Sequence, residues 1–180
     1  KETPGDFLNL AKWSIALRKL GKKEEAAKLY ERAMMLTMGE SAALSQVGAE
    51  LSSAGYDAEA IAMWEHSAMM SSPDDSGFQN AILYLATYGQ ALYESKQWKK
   101  AAAISEVYTG LLMRGRSSRG FLRVLRGRFY AEFCQGMMLL GKGNRDQAIA
   151  KLDAARLLIP GTGSLAADFF PALTNAGIDK

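Results

Sequence analysis

Apolar and polar positions along this chain follow a helical rhythm rather than the alternation of a strand. The first stretch reads Leu10, Trp13, Ser14, Leu17 and Leu20, breaks at a polar turn, and resumes with Ala26, Tyr30 and Ala33. A second runs Leu44, Val47, Gly48, Leu51 and Ala54, then Ala60, Trp64 and Ser67. A third has Leu85, Tyr88, Gly89 and Leu92, then Ala101, Ser105 and Tyr108; a fourth has Gly136, Leu139 and Gly141, then Ala148, Leu152, Ala155 and Leu158. Steps of three, four and seven residues put these side chains on one helical face. The pattern predicts four helical pairs.

The breaks resemble one another as closely as the helices do. Gly21–Ala27, Gly55–Ile61, Lys96–Ala102 and Gly143–Ile149 are each a polar turn followed by a small residue opening a new apolar stretch. Ala26, Ala60, Ala101 and Ala148 are separated by 34, 41 and 47 residues, and Gly177 follows Gly143 by another 34. A fixed period of this size marks a repeat architecture. A small residue midway along each first helix (Ser14, Gly48, Gly89, Gly136) leaves room for its partner, and the alanine opening the second removes bulk at the crossing. Large residues such as Tyr30, Trp64 and Leu152 then fill the space toward the next pair, as ridge-into-groove packing requires.

This pattern resembles the tetratricopeptide repeat, over almost the whole chain from about Phe7 to Lys180. The family's small residues are matched at Ser14, Gly48, Gly89, Gly136, Ala26, Ala60, Ala101, Ala148, Ala33 and Ala155; Tyr108 and Phe170 depart from it. The resemblance implies an all-α, right-handed superhelical solenoid of antiparallel hairpins forming a single domain over residues 1–180. Its repeats would run at about 7–38, 41–73, 82–112 and 123–160, with a terminal helix at 164–176. It also implies a non-catalytic scaffold for protein–protein interaction, with the third hairpin packed irregularly.

Two insertions stretch the period. Ser71–Gly77 reads as an extended polar loop, with Asp74 and Asp75 placed to cap the helix after it. Met113–Gly120 runs without a break into Phe121–Arg128, which predicts a helix starting near Ser118 and about two turns longer than its counterparts. Beyond Leu158, the helix expected at 164–176 carries Phe169 and Phe170 on what should be a polar outer face. The chain therefore reads as a piece of a longer polypeptide, or as one that self-associates through those phenylalanines.

Composition narrows the chemistry. A 48% hydrophobic, 9% aromatic chain of 180 residues with 4 prolines favours helices, and no stretch nears the ~18 apolar residues of a membrane span. One cysteine excludes an internal disulfide and any multi-cysteine zinc site. It suits a reducing compartment without deciding the location. His66, the single histidine, sits between Glu65 and Ser67, but helix neighbours point ~100° apart and cannot converge as a triad. Cys134 has no CxxC partner and reads as a small buried or groove-facing thiol. Pro160–Ser164 lacks the Gly-Lys-Ser/Thr of a phosphate loop and reads as a turn. Met34, Met35, Met38, Met69 and Met70 read as core filler. No catalytic residue, metal ligand or cofactor is expected.

Binding is the remaining expectation. In such stacks the first helices line a concave groove, which here assigns Ile15, Arg18, Gln90, Tyr93, Tyr130, Phe133 and Met137 to a partner-facing surface. The family's chaperone-tail clamp needs groove cations and asparagines; the matching places hold Ala11, Ile15, Gln46, Leu83 and Thr87, so that clamp is absent. An apolar or amphipathic segment laid on Tyr93, Tyr130, Phe133 and Met137 fits better, unless those rings pack on the next helix instead. The alternative centres on charge. The net +3 divides into −3 for Lys1–Gly110 and +6 for Leu111–Lys180, and the arginine run 114–128 supplies most of the excess. Arg119, Arg123 and Arg126 form a basic stripe suited to anions or acidic protein, and less to nucleic acid, for which no recognition motif is present.

Overall fold

The computed structural model describes residues 6–37, 40–114, 121–158, 171, 173 and 174. Among these the chain is all-helical, without strands, in eight helices: α1 (Asp6–Lys19), α2 (Lys23–Leu36), α3 (Ser41–Ser53), α4 (Asp57–Met70), α5 (Ser76–Glu94), α6 (Trp98–Arg114), α7 (Phe121–Gly141) and α8 (Arg145–Leu157). Neighbouring helices pack pairwise in a repeat-like arrangement. Two compact units divide within α5, at Leu85 and Ala86.

The same backbone device closes each pair. The amide of Lys22 donates to the Leu17 carbonyl, Tyr56 to Leu51, Gln97 to Leu92 and Asn144 to Leu139. Each bond spans the left-handed residue that ends a helix in a Schellman motif. That residue is Gly21, Gly55 or Gly143 at φ of 78°, 88° and 79°, and Lys96 at 58° in the third pair. The next helix then opens identically, with Ala26, Ala60, Ala101 and Ala148 donating to the carbonyl four residues back.

In the first unit, Ser14 Oγ donates to the Ala26 carbonyl at 2.8 Å, so the first pair is hydrogen-bonded at its crossing. In the second pair a Cβ on Gly48 would lie 2.5 Å from Trp64 Nε1 and 3.2 Å from the Ala60 carbonyl. The Trp64 ring stacks on Tyr84 at 5.6 Å, and its Nε1–H donates to the Ser45 carbonyl at 3.1 Å. Beside it lies a buried hydroxyl cluster. Ser67 Oγ donates to the Ser41 carbonyl at 2.6 Å, the Ser45 and Ser67 hydroxyls are 2.8 Å apart, and Ser71 Oγ donates to the Ser67 carbonyl at 2.8 Å. Gly77 packs against Ser41 and Ser71 so tightly that no Cβ fits there.

The second unit repeats the crossing with variations. A Cβ on Gly136 would meet Leu152 at 2.7 Å and the Ala148 carbonyl at 3.3 Å. In the third pair Gly89 faces Ile104, at 3.2 Å from a built Cβ, because Ser105 occupies the position that Trp64 and Leu152 hold elsewhere. The bulk has moved one residue back. Tyr108, where the resemblance led to the expectation of alanine, is accommodated by Gly127 of α7, where a Cβ would come within 2.9 Å of the tyrosine ring.

Several expectations need correction. The polar stretch read as a loop to Gly77 ends at Asp75, and α5 starts at Ser76, well before Ile82. Asp75 closes that turn backward, accepting from the Ser72 amide at 2.8 Å, rather than capping α5. At 21 residues, α7 is about two turns longer than α1 or α3, but α5 reaches 19. Trp13, Leu20, Met35, Met69 and Met70 are exposed, not core: each lies off the narrow stripe that the small-residue crossing defines. The start near Ser118, Met38, the Pro160–Ser164 turn, Phe169, Phe170 and Arg119 lie outside the described residues; of the helix expected at 164–176 only Pro171, Leu173 and Thr174 are described, and they are helical.

Candidate partner-binding surface

The sequence-selected surface residues fall in two places. In the first unit Ile15 is 8% exposed and belongs to the core, so it offers nothing to a partner. Arg18 is committed within its own unit. Its Nη1 donates to both Glu59 carboxylate oxygens, at 2.9 and 2.6 Å, and its guanidinium lies 5.1 Å from the Tyr30 ring centre and 5.3 Å from that of Tyr56. It thereby ties α1 to α2 and α4. Burial, with the Glu59 charge adding, raises the Tyr30 phenol above its ordinary range despite the opposing pull of Arg18. A cavity of about 300 Å³ beside this cluster is lined by Arg18, Lys23, Ala27 and Tyr56.

The second place is built by α5, α6 and α7 in the second unit. Tyr93, near the end of α5, makes an edge contact with Trp98 at 5.6 Å and with Tyr130 at 5.0 Å, and a tilted one with Phe133 at 5.6 Å. Phe133 is stacked on Phe129 at 5.8 Å and edges Trp98 at 6.1 Å. Edge-to-face geometry at these separations adds roughly 0.5–1.5 kcal/mol per pair beyond area burial. Phe129 and Phe133 are both 1% exposed and form the floor. Tyr93, Tyr130 and Met137 are half-buried above it, so the assignment of Phe133 to a contact face is corrected: it supports that face from below. Gln90 is exposed at the border, donating to Glu94 at 2.9 Å.

Charge enters from the N-terminal end of α7. The Arg126 guanidinium sits 5.8 Å from the Tyr130 ring centre, a cation–π contact, and Arg123 is exposed one turn earlier. Both act on Tyr108, whose phenol is raised by burial while the two arginines pull it down. Further along, Glu132 accepts from Lys151 of α8 at 2.8 Å, and Gln135 donates to Glu106 of α6 at 2.6 Å, closing the flanks of α7.

No protein-family model, curated protein or solved structure matches the chain. The surface therefore has to be read from its own chemistry. His66 is exposed on α4, and among the described residues no group of histidine, cysteine, aspartate and glutamate is placed to hold a metal ion. Cys134 is buried against the α7 crossing, where desolvation pushes its thiol up to about 12 and keeps it protonated. No described helix is long and apolar enough to cross a membrane.

The aromatic floor was only half visible in sequence. Trp98 opens α6 at the position held by Lys23, Asp57 and Arg145 in the other pairs. An apolar ring in a slot elsewhere polar was the available signal, and Phe129 four residues before Phe133 was the second.

Proposed function

We propose that the chain is a non-catalytic protein-interaction scaffold of tetratricopeptide-repeat type. It takes a peptide or helical segment on the face formed by α5 and α7 of the second unit. The observation supporting this is the pair of half-exposed tyrosines, Tyr93 and Tyr130, held in place by the buried Phe129 and Phe133 and the half-buried Trp98. Rigid aromatic side chains with a polar tip offer large contact area at low entropic cost, which is why such residues dominate interface hot spots. The repeat-like succession of hairpins fits a scaffold, since stacked repeats offer extended surfaces.

The test is a double substitution, Tyr93→Ala with Tyr130→Ala, followed by measured partner affinity. Both residues are half-buried, so the variant should fold, whereas Phe133→Ala would damage the core. A loss of about tenfold or more per hot-spot residue is expected. Unchanged affinity in a folded variant refutes the face. A second reading, anion or nucleic-acid binding through Arg123 and Arg126, is favoured by their exposure on one helical stripe. Capture of a partner that survives nuclease treatment separates the two.

A further inference from the structure

Residues 123, 126, 130, 133 and 137 advance along α7 by three, four, three and four positions, which makes them one continuous stripe. Its character changes along its length, from Arg123 and Arg126 through Tyr130 to Met137, with Phe133 beneath. At ~1.5 Å per residue the stripe from Arg123 to Met137 is about 21 Å long, the span of roughly six residues of extended peptide. The basic end is electrostatically uncompensated. α1, α2, α4 and α8 carry acidic residues in their first turns, as the positive end of a helix dipole prefers, whereas α3, α5 and α6 do not. The first turn of α7 has no acidic residue and bears Arg123 instead, and among the described residues neither Arg123 nor Arg126 has a carboxylate partner. Cations at that end oppose the dipole, and an external anion relieves both at once.

Resting on the α5–α7 face as the binding surface, we infer that its partner is a bipolar polypeptide segment, with clustered carboxylates over Arg123 and Arg126 and apolar side chains over Tyr130, Tyr93 and Met137. The arginines set register and direction, since the basic side chains of this stripe lie only at the N-terminal end of α7. The rings and the thioether supply the apolar contact. Electrostatic pairing of this kind governs orientation and association rate more than bulk affinity.

Fluorescence anisotropy with the full chain tests this, using three short labelled peptides: an acidic block joined to a Leu/Phe block, the acidic block alone, and the apolar block alone. The joined peptide should bind more tightly than either half. Its affinity should fall about tenfold in R123E/R126E, with R123Q/R126Q intermediate, and should weaken as salt screens exposed pairs. Y93A/Y130A should weaken it too. If the apolar block alone binds as well as the joined peptide and R123E/R126E is indistinguishable from wild type, the acidic specificity is wrong while the α5–α7 face stands. If Y93A/Y130A leaves all binding intact, the face itself is wrong. Failure of the joined peptide to bind overturns the inference. So does displacement by a single-stranded oligonucleotide at concentrations where polyglutamate has no effect. Binding that appears only after removal of the residues beyond Leu158 also overturns it, by making the chain's own segment the occupant.

Discussion

A methyl group at Gly48 would sit 2.5 Å from Trp64 Nε1, 2.8 Å from Trp64 Cδ1 and 3.2 Å from the Ala60 carbonyl, whereas at Gly89 its nearest neighbour is Ile104 Cγ2 at 3.2 Å. Alanine gains about 1 kcal/mol over glycine in a helix interior, and overpacking a tight site costs about 1–3 kcal/mol. Trp64 is pinned by its hydrogen bond and by Tyr84, while Ile104 presents only one methyl. Gly48→Ala should therefore destabilise by about 1–2 kcal/mol, and Gly89→Ala should be neutral or slightly stabilising. Urea denaturation of both variants checks the contrast; equal losses would show that the third crossing is as tight as the second. Cys134 supplies a pH test at the same scale. Its thiol ionises at about 12 when folded, against 9.0 ordinarily. The folded state thus keeps a proton that the unfolded state releases, and the stability contributed by this group is complete below pH 9 and lost as pH rises toward 12. The stability gap between wild type and Cys134→Ala should narrow by about 1 kcal/mol between pH ~8 and ~10.

At the scale of elements, the turn that ends each first helix was legible because it uses chemistry no helix interior tolerates. Gly21, Gly55 and Gly143 marked the turns by composition, and Lys96, aligned with them, proves to share their left-handed conformation. A side chain there costs about 1–2 kcal/mol, offset in part by the greater chain entropy of glycine. Lys96→Gly should stabilise by about 0.5–1 kcal/mol in chemical denaturation, and a loss would mean that the lysine makes a compensating contact. What stayed hidden has an equally local cause. Ser76 and Gly77 resemble a loop by composition, yet Gly77 is required inside α5 because Ser41 and Ser71 crowd its Cα. Periodicity located the crossing stripe but not its width, which is why Met35, Met69, Met70 and Trp13 were drawn inward when they face out. For the proposed face, Tyr93, Tyr130 and Met137 were chosen from spacing, and all three are half-buried. The burial of Phe133 was not legible, because it depends on Tyr93 and Trp98 arriving from α5 and α6.

At the scale of the whole molecule, the tryptophans report separately on the two compact units. Trp64 lies in the first, buried at the α3–α4 crossing, and Trp98 in the second, within the aromatic floor; Trp13 is 64% exposed and should report little. Stability in repeat-like folds is approximately a sum of local terms between nearest neighbours. A lesion in one unit should then be felt most by its own reporter. Ser67→Ala is suited to this, since it removes the donor to the Ser41 carbonyl and leaves Ser45 Oγ only its bond to the Gly77 carbonyl at 3.3 Å, and an unsatisfied buried group costs about 1–3 kcal/mol. With Trp13→Phe as background, paired with Trp98→Phe to isolate Trp64 and with Trp64→Phe to isolate Trp98, Ser67→Ala should lower the unfolding free energy reported by Trp64 by that amount and the one reported by Trp98 by clearly less. Equal shifts at both reporters would instead establish a single two-state transition, in which α5, shared by both units, is lost or kept as a whole.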